Sequence, residues 1–128
     1  MNPNEDSCDG KQIPLCGSME EHAFYVWKTY VKPAGFKKLN IIAHSAGGDC
    51  LTTIQKRFAD TFYQKVNKIA YTDSWPIEAS DLTQDQLAFM QANAVHYEAS
   101  DKPLGEPSPR DQGSMSSEVC PRVSAGHH

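Results

Sequence analysis

The chain has 128 residues, which is enough for one small domain and excludes a large two-domain enzyme. Its 12 Lys and Arg stand against 16 Asp and Glu, and the resulting net charge of −4 provides no overall basic field to attract nucleic-acid phosphates. We therefore expect no direct contact with nucleic acid.

The sequence signals neither a membrane span nor secretion. No apolar run approaches the roughly 18 residues that cross a bilayer, and the N-terminus lacks a basic region followed by an apolar stretch. Cys8, Cys16, Cys50 and Cys120 lie far apart, without a CxxC pair or a histidine at zinc spacing. We expect reduced thiols, no metal site, no cofactor, and a location in the nucleus or cytoplasm.

Residues 18–100 are the predicted folded core. Residues 1–17 are rich in Pro, Gly and polar groups, which predicts a loop or disordered tail. Ser18 and Glu21 form an S-x-x-E capping box, after which apolar residues at helical spacing predict an amphipathic helix that ends before Pro33. Residues 101–128 are predicted to be a Pro- and Gly-rich loop with a C-terminal segment.

Strands and helices alternate through the core. The apolar run 36–43 predicts a strand buried on both faces that ends at His44, and a helix from Cys50 to about Phe62 follows. Further elements are predicted as strand 66–72, helix 83–93, strand 94–99, an extended surface loop over 100–113, and a short edge strand within 119–124. This order predicts an α/β fold with a parallel sheet and flanking helices.

The segment between the first strand and the second helix is the sharpest motif. Its residues are Ala43, His44, Ser45, Ala46, Gly47 and Gly48. In a nucleophile elbow the positions two before and two after the serine are small, so that a tight, strained turn lifts the hydroxyl above the sheet. The following helix would aim its first N–H groups, beginning with that of Ala46, at an oxyanion beside Ser45. The simpler alternative is that Ser45 only caps this helix.

A serine nucleophile needs a histidine base and a carboxylate that orients it. In this fold class they follow the serine in the order acid, then histidine. Asp73 and Asp101 each follow a predicted strand, and topology does not choose between them. His127 and His128 are the histidines that come after both acids. The alternative to a triad acid is that Asp73 caps the helix or turn formed by residues 74–77.

The remaining histidines have simpler interpretations. His96 lies inside a predicted strand and is interpreted as a half-buried packing residue, and His22 as a solvated residue of the first helix. His44 neighbours the serine but is expected to point elsewhere along the turn. The aromatic residues at helical spacing are expected to be core.

Four segments together resemble the Argonaute-binding protein two (Arb) domain family. They are residues 20–27 around Glu20-Glu21-His22, residues 42–48 with the elbow, Thr72-Asp73-Ser74, and residues 120–126, and the resemblance extends from about Ser18 to Gly126. It implies an α/β-hydrolase-like fold with Ser45 at the nucleophile position and Asp73 at the acid position. The family is associated with Argonaute and small-RNA handling, cotranscriptional regulation and some histone deacetylases.

Two departures from the family pattern shape the expected function. The resemblance implies that the family's histidine would follow a few residues after His128 and that the family's upstream strands would precede Ser18, so we expect this sequence to correspond to the C-terminal half of the domain. A half sheet leaves an unpaired edge and an uncovered apolar face, which predicts dimerisation or a partner chain. The primary hypothesis is therefore a noncatalytic adaptor that binds a protein of the RNA-silencing or chromatin machinery. The alternative is a serine hydrolase that acts on a small acyl ester.

Overall fold

The computed structural model describes residues 17–108 and 119–126. Within them, the sequence folds into a four-stranded parallel sheet with flanking helices, as the α/β pattern predicts. The strands are β1 (Leu39–His44), β2 (Val66–Thr72), β3 (Ala94–Glu98) and β4 (Arg122–Ser124), and they lie in this order. The predicted N-terminal tail and the predicted bases His127 and His128 lie outside the described residues.

The helices are α1 (Met19–Val26), α2 (Gly47–Arg57), α3 (Ala59–Lys65) and α4 (Gln84–Asn93). A π-helical turn, Trp27–Val31, continues α1, and a short 3-10 turn, Ala79–Asp81, precedes α4. No helix among the described residues is long and apolar enough to cross a membrane. The single helix predicted from Cys50 to Phe62 is divided at Phe58, whose φ of −125° and ψ of 38° are not helical.

Side-chain hydrogen bonds fix where the first and last helices begin. Ser18 Oγ accepts from the Glu21 amide at 3.1 Å, which is one half of the predicted capping box. The Glu21 carboxylate accepts instead from the amide of Gly17 at 2.7 Å, so the reciprocal half is shifted by one residue. At α4 both halves form, between Thr83 and Gln86.

The core lies on one face of the sheet. The crossovers β1–α2–α3–β2 and β2–α4–β3 join adjacent parallel strands, and right-handed crossovers place their helices on the same face. The side chains directed to this face are buried, and they pack against buried helix residues. They include Ala43, Ile69, Tyr71, Ala94 and His96.

The opposite face of β1 is open, which corrects the prediction of a strand buried on both sides. Asn40 and His44 are exposed, and Ile42 between them keeps 77% of its surface accessible. The apolar run correctly located the strand, but apolarity alone does not distinguish a central strand from an edge strand. Ile42, Ala70, Val95, Tyr97 and Val123 share this open face, because side chains alternate along paired strands.

The two edges of the sheet differ. The loop after β3 returns alongside β4 and forms a bridge between Pro107 and Val123, so the described part of the predicted surface loop is tied to the sheet. β4 begins only after Pro121, as the prediction of a short edge strand required. At the other edge, β1 pairs only with β2 among the described residues.

Candidate functional site

Ser45 has the backbone conformation that an elbow requires. Its φ is +51°, a left-handed value that costs a non-glycine residue roughly 1–2 kcal/mol. The Ser45 amide donates to the Thr72 carbonyl at 3.2 Å, so the turn begins directly at the end of the paired strand. The residue is exposed at the carboxyl edge of the sheet. This geometry fits a nucleophile elbow.

The alternative interpretation was that Ser45 caps α2, but this helix starts one residue later than that interpretation requires. The N-cap of α2 is Ala46, and the first amides that bond back are those of Gly48, to Ser45, and Asp49, to Ala46. Ser45 therefore does not cap α2. The first amides of any helix lack an intrahelical acceptor, which leaves the N–H of Ala46 suited to the predicted oxyanion role.

Gly48 sets how closely α2 approaches the loop after β2. A Cβ at this position would lie 2.6 Å from Ser74 Oγ and still closer to the Trp75 carbonyl oxygen. A Cβ at Gly47 would have the Ala43 Cβ as its nearest neighbour, at 3.9 Å, which is an ordinary van der Waals contact. The motif predicted small residues at Ala43 and Gly47, two positions before and after the serine, whereas the tight contact lies at Gly48.

Asp73 lies at the same edge of the sheet as Ser45 and is also left-handed, with φ +43°. Its amide donates to the Tyr97 carbonyl at 3.1 Å, and its Oδ1 accepts from the Ala99 amide at 3.2 Å. The carboxylate therefore joins the end of β2 to the end of β3. The predicted alternative was that Asp73 caps the turn that follows it, whereas the structure shows its Oδ1 bonded to the distant Ala99 amide.

Of the other predicted triad members, His127 and His128 lie outside the described residues. Asp101 is exposed in the loop after β3. The His44 ring turns toward β2, where Nδ1 lies 3.0 Å from the Thr72 carbonyl oxygen and 3.1 Å from Thr72 Oγ1. His44 therefore contacts the end of the neighbouring strand, whereas the sequence predicted that it points along the turn.

An apolar groove of about 350 Å³ runs between α1 and β1 and ends beside the elbow. His22, predicted to be a solvated surface residue, is half-buried and lines it. The lining includes Val26, Trp27, Ile41, Ile42 and Gly47. Sequence reasoning missed this groove because helical spacing assigned Trp27 to a closed core, and the apolar run assigned Ile41 and Ile42 to a strand buried on both faces.

A buried polar cluster lies on the helix-covered face across β2, β3 and β4. Register places Tyr71 beside His96 and His96 beside Arg122, and Arg122 pairs with Glu98. His96 is 4% exposed rather than half-buried, and neither ring nitrogen has a hydrogen-bond partner. Burial lowers the pKa of His96 against the opposing charge of Glu98.

The two cysteines among the described residues are free thiols. Burial, together with Glu20 and Asp49, raises the pKa of Cys50, and burial raises the pKa of Cys120 to about 12 despite Arg122. Both are therefore weak nucleophiles. Residues 17–108 and 119–126 contain no group of three or more His, Cys, Asp or Glu side chains placed to hold a metal ion.

Comparison with known proteins gives one family. The Arb2 domain matches residues 2–104, which includes the predicted tail but not the segment 120–126 that the resemblance also used. The cotranscriptional regulator ARB2A homolog of Xenopus tropicalis is 36% identical over 119 residues, covering 86% of this chain and 25% of the relative. The human cotranscriptional regulator ARB2A is 33% identical over 116 residues, covering 86% of this chain and 26% of the relative.

A more distant similarity is to the FAM172 family protein homolog Y75B8A.31 of Caenorhabditis elegans, 30% identical over 74 residues, covering 58% of this chain and 23% of the relative. No solved structure matches the chain. The chain spans about a quarter of the length of the curated relatives it matches. Since the family match covers most of the sequence, the chain belongs to the Arb2 domain family.

Proposed function

We propose that this chain is a noncatalytic domain that binds protein partners in cotranscriptional regulation. Its relatives from Xenopus tropicalis and human are cotranscriptional regulators by name. The resemblance to Argonaute-binding domains points to the RNA-silencing or chromatin machinery as the source of the partner. Such a role places the chain in the nucleus or cytoplasm.

The observation that supports this proposal best is how the polar groups beside Ser45 are used. His44 bonds to Thr72, and Asp73 accepts from the amide of Ala99. Both side chains therefore join neighbouring strand ends, which is a structural role. Ser74 Oγ donates to the Ser45 carbonyl at 2.6 Å and adds a third such link. The elbow serves here to hold the sheet edge together.

The open face of the sheet offers a surface for the partner. Ala70, Val95 and Tyr97 occupy adjacent positions on β2 and β3, and a shallow pocket of about 390 Å³ lies over them. These side chains are half-buried although no described helix covers them. An apolar surface with few charges is typical of protein interfaces.

The test measures binding of the purified chain to a purified Argonaute protein and, separately, to a histone deacetylase. We expect one of them to bind, Ser45→Ala to bind equally well, and Ala70→Lys to lose at least tenfold in affinity. Leu104→Lys is the matched control, because Leu104 is 73% exposed in the loop after β3. The proposal would be contradicted if the chain bound neither protein, or if Ala70→Lys bound as tightly as the original chain.

The second candidate function is a serine hydrolase, and the left-handed Ser45 favours it. Ser45 Oγ would attack an ester carbonyl, pass its proton through a histidine to the departing alcohol, and leave an acyl-enzyme that water hydrolyses. Asp73 or Asp101 would orient that histidine, and the Ala46 N–H would bind the oxyanion. His127 and His128 are the predicted bases.

A fluorophosphonate probe distinguishes the two candidates. The intact mass of the chain after exposure to the probe is compared with that of Ser45→Ala. A noncatalytic domain gives no Ser45-dependent adduct, whereas an activated serine gives one adduct that Ser45→Ala lacks. Circular dichroism of the same samples shows that both proteins are folded.

A further inference from the structure

We propose that protonation of His96 releases β4 and the loop beside it from the sheet while the rest of the fold stays intact. The segment 102–108 together with β4 is called the β4 unit. The fold thus contains a switch that responds to mildly acidic pH. This inference goes beyond the proposed function because it concerns the attachment of β4, whereas the proposed partner occupies the open face of β2 and β3.

Backbone hydrogen bonds hold the β4 unit together as one piece. Gly105 donates to the Ser124 carbonyl at 2.8 Å, and Ser124 donates to the Glu106 carbonyl at 2.8 Å. Ser108 donates to the Arg122 carbonyl at 3.1 Å. Among the described residues, β4 pairs with β3 on one side and with this loop on the other. Separation from β3 therefore moves the loop and the strand together.

The Glu98 side chain joins the β4 unit to β3. Its Oε1 accepts from Arg122 Nη2, and its Oε2 accepts from Ser108 Oγ at 3.3 Å. The ion pair is largely removed from water, since 12% of the Arg122 side chain and 21% of the Glu98 side chain are exposed. Breaking such a pair leaves a charge without compensation in a poorly solvated place. The attachment of the β4 unit therefore depends on the Glu98 carboxylate staying with Arg122.

His96 is placed to compete with Arg122 for the same carboxylate oxygen. Its Nδ1 lies 3.9 Å from Glu98 Oε1, which is beyond hydrogen-bond distance, and both ring nitrogens are buried without a partner. A neutral ring leaves the carboxylate to Arg122. A protonated ring puts a second cation beside one carboxylate, and the buried group then carries a net positive charge, which is costly.

The other titratable groups of this buried region do not cancel that charge. Burial raises the pKa of Tyr71 on β2 and raises the pKa of Cys120 before β4 to about 12, so both stay neutral at mildly acidic pH. Asp73, in the loop after β2, favours a charged His96 ring, but Arg122 and above all burial oppose it and lower its pKa. Protonation is therefore favoured in a form where the ring reaches water.

Separation of β4 from β3 is the local change that exposes His96. The register places His96 between Tyr71 of β2 and Arg122 of β4, and its amide donates to the Pro121 carbonyl at 2.9 Å. Loss of the β4 unit uncovers the ring from one side and leaves β1, β2 and β3 paired. Because the exposed ring regains its ordinary pKa of 6.5, opening binds a proton, and its equilibrium constant rises as pH falls below that value.

Native-state hydrogen exchange of the chain, measured by NMR between pH 5.5 and 7.5, tests the switch. The amides of Gly105, Ser108 and Ser124 report opening of the β4 unit, and the amide of the fully buried Phe62 in α3 reports global unfolding. After correction for intrinsic exchange rates, the opening constant of the β4 unit should exceed the global one by about tenfold or more. It should rise by about threefold to tenfold from pH 7.5 to pH 5.5. Low urea should leave it unchanged, because a local opening exposes little surface.

Three variants test which groups carry the switch. His96→Phe should keep the β4 unit attached and remove the rise of its opening constant at low pH. Glu98→Gln should raise the opening constant at pH 7.5 by about tenfold or more, since Arg122 loses its charged partner. Asp81→Asn is the matched control, because it removes the carboxylate of an exposed ion pair with Lys56, and it should leave the opening constant unchanged.

The switch is overturned if the amides of the β4 unit share the opening constant and the urea dependence of Phe62, because they then exchange only through global unfolding. An equal rise at low pH in His96→Phe and the original chain overturns the role of His96. This comparison replaces one planar ring by another and does not depend on whether Glu98→Gln folds. None of these results bears on Argonaute or deacetylase binding, which is measured with the open-face variant Ala70→Lys.

Discussion

Ser74 Oγ donates a hydrogen bond of 2.6 Å to the carbonyl oxygen of Ser45, and this bond joins the loop after β2 to the turn after β1. Ser74 is buried, and the neighbouring Trp75 indole donates to Asp49 Oδ1 at 2.6 Å in the first turn of α2. The elbow is thus held from the side by the next loop. Gly48 is the residue that allows this close approach.

The contact at Gly48 predicts a large difference between two neighbouring glycines. Gly48→Ala should lower the free energy of unfolding by about 2–3 kcal/mol, because its methyl would overlap Ser74 and the backbone of Trp75. Gly47→Ala should be neutral or stabilising by up to about 1 kcal/mol, since alanine favours a helix and the site has room. Urea denaturation of both variants measures the difference. If both variants changed the free energy of unfolding equally, the loop after β2 would not be in close contact with α2 at Gly48.

A second prediction separates a structural Asp73 from a catalytic one. Asp73→Ala should lower the free energy of unfolding by about 1–3 kcal/mol, because the Ala99 amide loses its acceptor and alanine tolerates a left-handed φ poorly. Asp73→Asn should change it by less than about 1 kcal/mol, since asparagine keeps an acceptor oxygen and tolerates this conformation.

Thermal unfolding of Asp73→Ala and Asp73→Asn provides the measurement, together with partner binding. If Asp73→Asn binds and folds like the original chain, the carboxylate charge is not needed. A triad acid would behave differently, because the amide would abolish a Ser45-dependent reaction while leaving stability unchanged.

The local elements could be predicted closely from the sequence. Strand 66–72 has the predicted limits, and α4 follows the predicted N-terminal Thr83. These segments were predictable because apolar periodicity and capping residues act over a few positions. The serine turn was also found in this way, since small residues at fixed spacing report a tight turn directly.

Features that depend on neighbours in space could not be predicted. Whether the apolar run of β1 is central or at an edge depends on which strands and helices flank it, and Ile42 proves exposed. The left-handed conformation of Asp73 arises where β2 meets the end of β3, far along the chain. The pairing of Arg122 with Glu98 needs the parallel register of β3 and β4.

A third prediction concerns strain at Ser45. Ser45→Gly should raise the free energy of unfolding by up to about 1 kcal/mol, because glycine adopts φ +51° without steric cost, although the unfolded chain gains freedom. Ser45→Ala keeps the Cβ and should stay within about 0.5 kcal/mol of the original chain. Chemical denaturation compares the two variants. A less stable Ser45→Gly would show that the turn imposes no strain on the serine.

The fourth prediction is a loss of stability at mildly acidic pH that depends on His96. Its folded-state pKa is lowered from 6.5, chiefly by burial, so the unfolded chain binds a proton more readily than the folded one. The free energy of unfolding should therefore fall as pH decreases below about 6.5, by at most about 1.4 kcal/mol per pH unit, until the folded-state pKa is reached. Glu98 and Asp73 oppose this shift, and Arg122 adds to it.

His96→Phe removes this contribution while keeping a planar ring against Tyr71, whose ring centroid lies 6.4 Å from that of His96. Urea denaturation across pH 5–7.5 should give a shallower pH dependence for His96→Phe than for the original chain. His22→Phe is the control, because it removes an imidazole that is only half-buried. Since both ring nitrogens of His96 are buried without a partner, His96→Phe should also match or exceed the original stability at neutral pH. A destabilised His96→Phe with unchanged pH dependence would show instead that the histidine nitrogens are bonded and that the ring is not held neutral by burial.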